Sequence, residues 1–304
     1  MRIGFSTVAC PDWDLETVVS RGPEMGFEAL ELHGLERQMD LPLSAALTTD
    51  PGRVSGMCRD AGLPLVCLTM HERFAWWGPV GSSDTVARAR EYIELAVSLD
   101  CPFVKLRPAS LSNDQDRRQL LPSALAVLTD LASAALDAGV TLLLDNTGAV
   151  AASRDMWLVL DATAHPGVQV CWSPLRARAA GDTPSLAIPR LGRRIAMAAW
   201  TDARLSPVTL TPEACALPGE GHLELDYCHA LLAGIGGPSL LIFEWPKLST
   251  PSLSDPDQAL PTAAGRMRAM IERFENTPEL SAYKGDKNAP RLAVPQEQGP
   301  RAST

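Results

Sequence analysis

The sequence predicts an α/β fold, a single (β/α)8 TIM barrel, from three observations. Short β-like runs alternate with longer helical segments from the first residue to about 275, the pattern of βα repeats rather than of separate strand and helix blocks. Eight such units can be counted, at the roughly 30 residues each that a barrel of about 250 residues needs. Two apolar runs, Leu142-Leu143-Leu144-Asp145 and Leu241-Ile242-Phe243-Glu244, end in a carboxylate, where a barrel keeps its chemistry.

The expected strands cover 3–8, 28–33, 64–70, 102–107, 140–145, 168–173, 194–200 and 239–245. Between them, the helix from Asp14 to Met25 is followed by Gly26, that from Pro51 to Ala61 by Gly62, and that from Leu120 to Ala138 by Gly139. Each glycine can end its helix in a left-handed turn before the next strand. Tyr92–Val97 and Leu125–Leu131 carry apolar residues at helical spacing, suited to packing on a barrel exterior. The helix around 184–191 is short and proline-bounded. Residues 246–261, with four prolines, read as a long loop after the eighth strand, of the kind that covers an active site. The barrel is therefore expected over 1–276, and the polar stretch 277–304 as a flexible tail.

Composition narrows the class. With 304 residues, 46% hydrophobic and 21% charged, the chain can bury a large core. A net charge of -9 and basic residues in no long run oppose a nucleic-acid partner. Seven cysteines include no C-x-x-C pair and no zinc-like spacing. No signal-like segment and no unbroken apolar run near ~20 residues are found. These features predict a cytoplasmic protein whose partner is a small molecule rather than a membrane, with a homodimer left open.

Candidate chemistry gathers at the strand ends. Glu244 and Asp145 are carboxylates at the ends of the eighth and fifth strands. His71, after the third strand, is the first candidate for a general acid or base, because an imidazole titrates near working pH. Lys105 and Arg107 share one face of the fourth strand by the period-2 rule. Glu31 and His33 share a face at the end of the second, where one could orient substrate hydroxyls or pair with Arg107. Trp172 and Trp200, at successive strand ends, suit either stacking on a substrate or packing.

The opening Met1-Arg2-Ile3-Gly4-Phe5-Ser6-Thr7, the unit Gly26-Phe27-Glu28-Ala29-Leu30-Glu31-Leu32 and the terminal Phe243-Glu244-Trp245 resemble the xylose-isomerase-like TIM-barrel family of sugar-phosphate isomerases and epimerases. The resemblance spans about residues 1–275. It implies a divalent cation held by Glu, Asp, His and Glu after strands five to eight. Carried over, the first and last positions are Asp145 and Glu244, which would be the metal ligands. The family's Asp-Pro-x-His aligns with Ser173-Pro174-Leu175-Arg176, and its His-x-Lys-Asp with Ala199-Trp200-Thr201-Asp202. Asp202 falls on the acidic residue that supports the family's site, and Glu220 in a loop the family uses near substrate.

Two carboxylates and water can hold Mg2+ or Mn2+ weakly, but Arg176 is always charged and beside them replaces the metal's charge. No tightly bound cofactor is therefore expected. In that case Arg176, Arg107 or Lys105 would polarise a carbonyl or hold an anion. The resemblance implies a divergent isomerase or epimerase moving a proton alpha to a carbonyl, with Glu244 and Asp145 or His71 as the acid and base. The alternatives are a metal-independent lyase or cyclase of a specialised pathway, and a metabolite-binding barrel without catalysis.

Overall fold

Alternating side chains give each apolar run two faces, and eight such runs bury both by closing into a barrel. A computed structural model describes residues 1–77 and 82–276; the expected tail, 277–304, lies outside the described residues. In chain order the strands are β1 (Arg2–Ser6), β2 (Ala29–Leu32), β3 (Leu65–Phe74), β4 (Phe103–Pro108), β5 (Thr141–Asp145), β6 (Val168–Trp172), β7 (Ile195–Trp200), β8 (Asp202–Leu205), β9 (Pro212–Ala216) and β10 (Leu240–Phe243). The parallel barrel closes in the order β1-β10-β7-β6-β5-β4-β3-β2, while β8 and β9 form an antiparallel hairpin. The eighth barrel strand is thus β10, and the hairpin is an insertion that alternation alone did not reveal.

The helices are α1 (Leu15–Glu24), α2 (Ala45–Thr48), α3 (Pro51–Asp60), α4 (Ser82–Ser98), α5 (Asp114–Ser123), α6 (Thr129–Asp137), α7 (Ser153–Thr163), α8 (Pro174–Ala179), α9 (Pro184–Leu191), α10 (Leu225–Gly234) and α11 (Pro256–Asn276). Asp14 caps α1 by accepting from Thr17 N, and Asp50 caps α3 by accepting from Arg53 N. A π turn over Ala124–Leu128 joins α5 to α6. The stretch Asp116–Asp137 is long and apolar enough to span a membrane by length and composition. Its Leu128, Leu131, Ala132 and Ala135 are buried, and α6 packs on β5, so the apolar face belongs to the barrel's outer layer.

Two expected boundaries move. The loop after β10 stops at 255, because Pro256 opens α11 and Pro261 lies inside it. Strand β3 continues past 70 through a register shift and pairs Arg73 with Arg107 and Phe74 with Pro108. Phe74, Trp76 and Trp77 are buried, and Trp76 Nε1 donates to Leu120 O at 3.1 Å, so these aromatics anchor packing at the end of β3.

The period of two sorts the barrel into layers. Ala29, Cys67, Leu143, Cys171, Met197, Ala199, Leu240 and Ile242 fill its interior floor. Gly4 is required there, since a Cβ would lie 2.5 Å from Ala29 O and 2.7 Å from Ile242 Cδ1. Trp172 and Trp200 have the opposite parity to Cys171 and Ala199 and pack in the outer layer between strands and helices. The expectation that they line a substrate mouth is corrected by that parity.

Candidate active site

Above the floor, the same inward parity carries polar residues at the strand C-terminal ends. Ser6 is the register partner of Glu31, Thr69 of Lys105, and Asp145 of the interior Cys171. Lys105 is 1% exposed, and its Nζ lies 2.9 and 3.0 Å from the two Glu31 carboxylate oxygens and 2.5 Å from Glu244 Oε1. Glu31 also accepts from Ser6 Oγ at 3.0 Å and Thr69 Oγ1 at 2.9 Å. Of the roles open to Glu31 and His33, orienting substrate hydroxyls or pairing with Arg107, Glu31 takes neither here and pairs instead with Lys105, which sits deeper on the same face as Arg107.

Arg176 reaches in from α8, whose N-cap is Ser173. Its Nη2 donates to Glu244 Oε2 at 2.5 Å and its Nη1 lies 3.0 Å from Asp145 Oδ1. Nη1 is too poorly aligned to hydrogen-bond, and both oxygens of the fully buried Asp145 are left without a donor. Asn146 ties this side together, donating to Ser173 O at 3.1 Å and accepting from Ser173 N at 2.8 Å. Thr201 Oγ1 donates to Glu244 O at 2.5 Å. Three carboxylates and two paired cations thus form a chain from Glu31 through Lys105, Glu244 and Arg176 to Asp145.

Electrostatics distinguishes the members. Burial disfavours the ionised form of Glu244, but Arg176 and Lys105 outweigh it and hold that carboxyl far below the usual range. Burial raises Asp145 against the pull of Arg176 and Lys105, and also raises Glu31 against Lys105. Burial would lower Lys105, yet Glu244 and Glu31 hold it well above the ordinary lysine value. At the rim, His33 Nε2 and His71 Nδ1 are 3.4 Å apart. Burial, then Lys105 and Arg107, push His33 well down, while burial and Arg107 lower His71. Both imidazoles are therefore neutral at neutral pH.

The sequence over residues 21–270 matches the family model described as xylose isomerase-like TIM barrel. The chain belongs to that family. A search of curated protein sequences returns no match. Among solved structures, the IolI protein, solved with a zinc atom, superposes with a TM-score of 0.75 at 18% identity, covering 90% of this chain and 99% of its own. An L-ribulose 3-epimerase gives 0.71 at 17% identity over 95% and 99%. A probable 3-DHS dehydratase, AsbF from Bacillus anthracis, gives 0.72 at 12% identity over 88% and 99%. At these identities the likeness establishes the shared fold.

The family's cation does not fit this donor set. Of the four aligned positions, Ser173 is used as the α8 cap and Ala199 is floor packing. The remaining two carboxylates face Arg176 at 3.0 and 2.5 Å, with Lys105 on the far oxygen of Glu244. A dication there would meet two fixed positive charges. Among the described residues, no group of three His, Cys, Asp or Glu side chains is arranged to hold a metal.

Other expected site residues are placed elsewhere. Asp202 is 1% exposed and accepts from the backbone N–H of Ala203, Gly219, Gly221 and Leu223 at 2.7 to 3.1 Å, so it shapes its own loop. Glu220 forms an exposed ion pair with Arg266 at 2.7 Å. Glu244, expected as acid or base, has both oxygens committed to cations and low proton affinity. Ser6, Thr69 and Asn146 were not anticipated. For Ser6 and Thr69 the available signal was inward parity beside Glu31 and Lys105; Asn146, of opposite parity to Asp145, gave none.

Proposed function

We propose that the protein is a metal-independent proton-transfer enzyme of the isomerase or epimerase type, acting alpha to a carbonyl on a small polyhydroxy or carbonyl compound. The observation that carries this reading is Asp145: a fully buried carboxyl with no hydrogen-bond donor, raised proton affinity and a guanidinium at 3.0 Å. A buried carboxyl of raised proton affinity beside a cation that can stabilise charge on a substrate is the environment in which a general acid or base is found.

In this reading, Arg176 Nη1, which makes no hydrogen bond to Asp145, donates to the substrate's carbonyl oxygen, and Asp145 takes the proton from the adjacent carbon. The C–H electron pair moves onto the carbonyl oxygen, whose charge the guanidinium stabilises. Asp145 then returns the proton to the former carbonyl carbon while the adjacent hydroxyl passes its proton to the former carbonyl oxygen, an exchange the neutral His33–His71 pair can relay by accepting at one ring nitrogen and donating from another. Lys105, consumed by Glu31 and Glu244, keeps Glu244 ionised and Arg176 in place.

The test is solvent exchange. The protein is incubated in D2O with ketoses, aldoses, their acids and their phosphates, and deuterium at the alpha carbon is followed by NMR. Exchange that disappears in Asp145→Asn supports the reading. Ligand-induced stabilisation without exchange for any compound would replace it with a binding role. A second reading, elimination, starts with the same proton abstraction; protonated Asp145 suits delivery to a departing hydroxyl, and loss of water in the same samples would reveal it.

A further inference from the structure

The buried anions of the mouth are all paired with cations, while its outermost cations pair with none of them. Arg73 and Arg107 are register partners on β3 and β4, directly above the Lys105 level. Among the described residues, neither forms an ion pair. Arg107 Nη1 donates to His71 O at 2.9 Å, which orients the guanidinium, while its Nε is buried without an acceptor. Like charges on opposed strand positions repel, and burial together with Arg73 lowers the proton affinity of Arg107. Glu72 offers little relief, since its charge falls on Asp40, Tyr92 and His71. The pair is therefore a costly arrangement with open donors, next to two neutral imidazoles. Arg107 lies two residues beyond Lys105 on the same face of β4, above the chain that runs from Lys105 through Glu244 to Arg176.

We infer that Arg73 and Arg107 seat an anionic headgroup of the substrate, a carboxylate or a phosphate, so that the site takes an oxo-acid, hydroxy-acid or sugar phosphate in preference to a neutral sugar. Both groups accept a guanidinium fork through paired hydrogen bonds, and an anion at this point cancels the repulsion between the two arginines. The inference rests on the proposed function for the placing of the reacting carbonyl at Arg176.

Isothermal titration calorimetry of the full chain with inorganic phosphate, and separately with malonate, tests it. The variants are Arg73→Gln, Arg107→Gln, Arg107→Lys, and Arg53→Gln as a remote surface control. Saturable binding of at least one anion is expected, weakened tenfold or more by either mouth glutamine, partly recovered in Arg107→Lys and unchanged in the control. Tighter phosphate identifies a phosphorylated substrate; tighter malonate identifies an acid. If Arg107→Gln does not fold, Arg73→Gln, an exposed side chain, carries the comparison. No saturable binding, or binding that survives both glutamines together, overturns the inference. Solvent exchange on neutral sugars without anion binding would retire the anion seat and leave proton transfer standing. Anion binding without exchange on any compound would do the reverse.

Discussion

Glu31 and Asp145 are both fully buried carboxyls at the mouth of one barrel, and the protein treats them oppositely. Glu31 accepts from Lys105, Ser6 and Thr69, so its charge is compensated on every side. Asp145 has Arg176 at 3.0 Å and accepts no hydrogen bond. Burial lifts both carboxyls, but only Asp145 lacks donors that stabilise its charge. Three carboxylates set against Lys105 and Arg176 leave one charge in excess, and Asp145 is the member least equipped to bear it. The β1–β4 side of the mouth is thus a closed network of hydrogen bonds, and the β5–α8 side holds a buried carboxyl that accepts none.

The strongest way to break this contrast is Lys105→Met. It leaves Glu31 and half of Glu244 buried without a counter-charge, and a loss of about 3–5 kcal/mol in urea unfolding is expected. Adding Glu31→Gln should recover part of that loss, because one uncompensated charge is removed. A Lys105→Met protein as stable as wild type would mean that the network contributes nothing.

Asp145→Asn should act in the opposite sense, leaving stability within about 1 kcal/mol while lowering solvent exchange by ~100-fold or more. The pH dependence sharpens the point. The folded pKa of Asp145 lies above its unfolded value, so the folded state binds more protons between the two. Stability from this group is fully present below the unfolded pKa and is lost as pH rises through the folded one. Wild type should therefore gain stability relative to Asp145→Asn on acidification from neutral pH. The Glu244 contribution runs the other way, being present above the ordinary carboxylate range and lost as pH falls toward its depressed value. Urea midpoints of both proteins from pH 7.5 to 4.5 check the sign; a gap that does not change would place the Asp145 pKa at its ordinary value.

The barrel was legible because buried parallel strands and terminating glycines leave a repeated local signature. Asp145, Arg176, Lys105 and Glu244 were legible as strand-end or loop residues with charge. What the sequence did not disclose was their pairing, since Lys105 and Glu244 are 139 residues apart and meet through barrel closure. The β8–β9 hairpin was hidden because Asp202–Leu205, although its polar and apolar residues alternate, is only four residues long and begins two residues after β7 ends, so it does not stand out as a separate strand. Trp172 and Trp200 were misplaced by one position in parity, which in a strand exchanges the mouth for the helix layer.

The smallest expected effect belongs to Glu220→Gln. Its ion pair with Arg266 has both side chains about 40% exposed, at 39 and 43%, and exposed pairs of this kind contribute about 0–1 kcal/mol. Asp202, which accepts from the amides of Gly219 and Gly221 on either side of Glu220 as well as from Ala203 and Leu223, holds the loop by four hydrogen bonds that the substitution leaves intact. Urea unfolding, solvent exchange and anion titration should all match wild type. A Glu220→Gln variant that folded normally but lost exchange would show that this loop swings over the mouth during turnover, and the line drawn between the β5–α8 chemistry and its surroundings would have to be moved outward to include it.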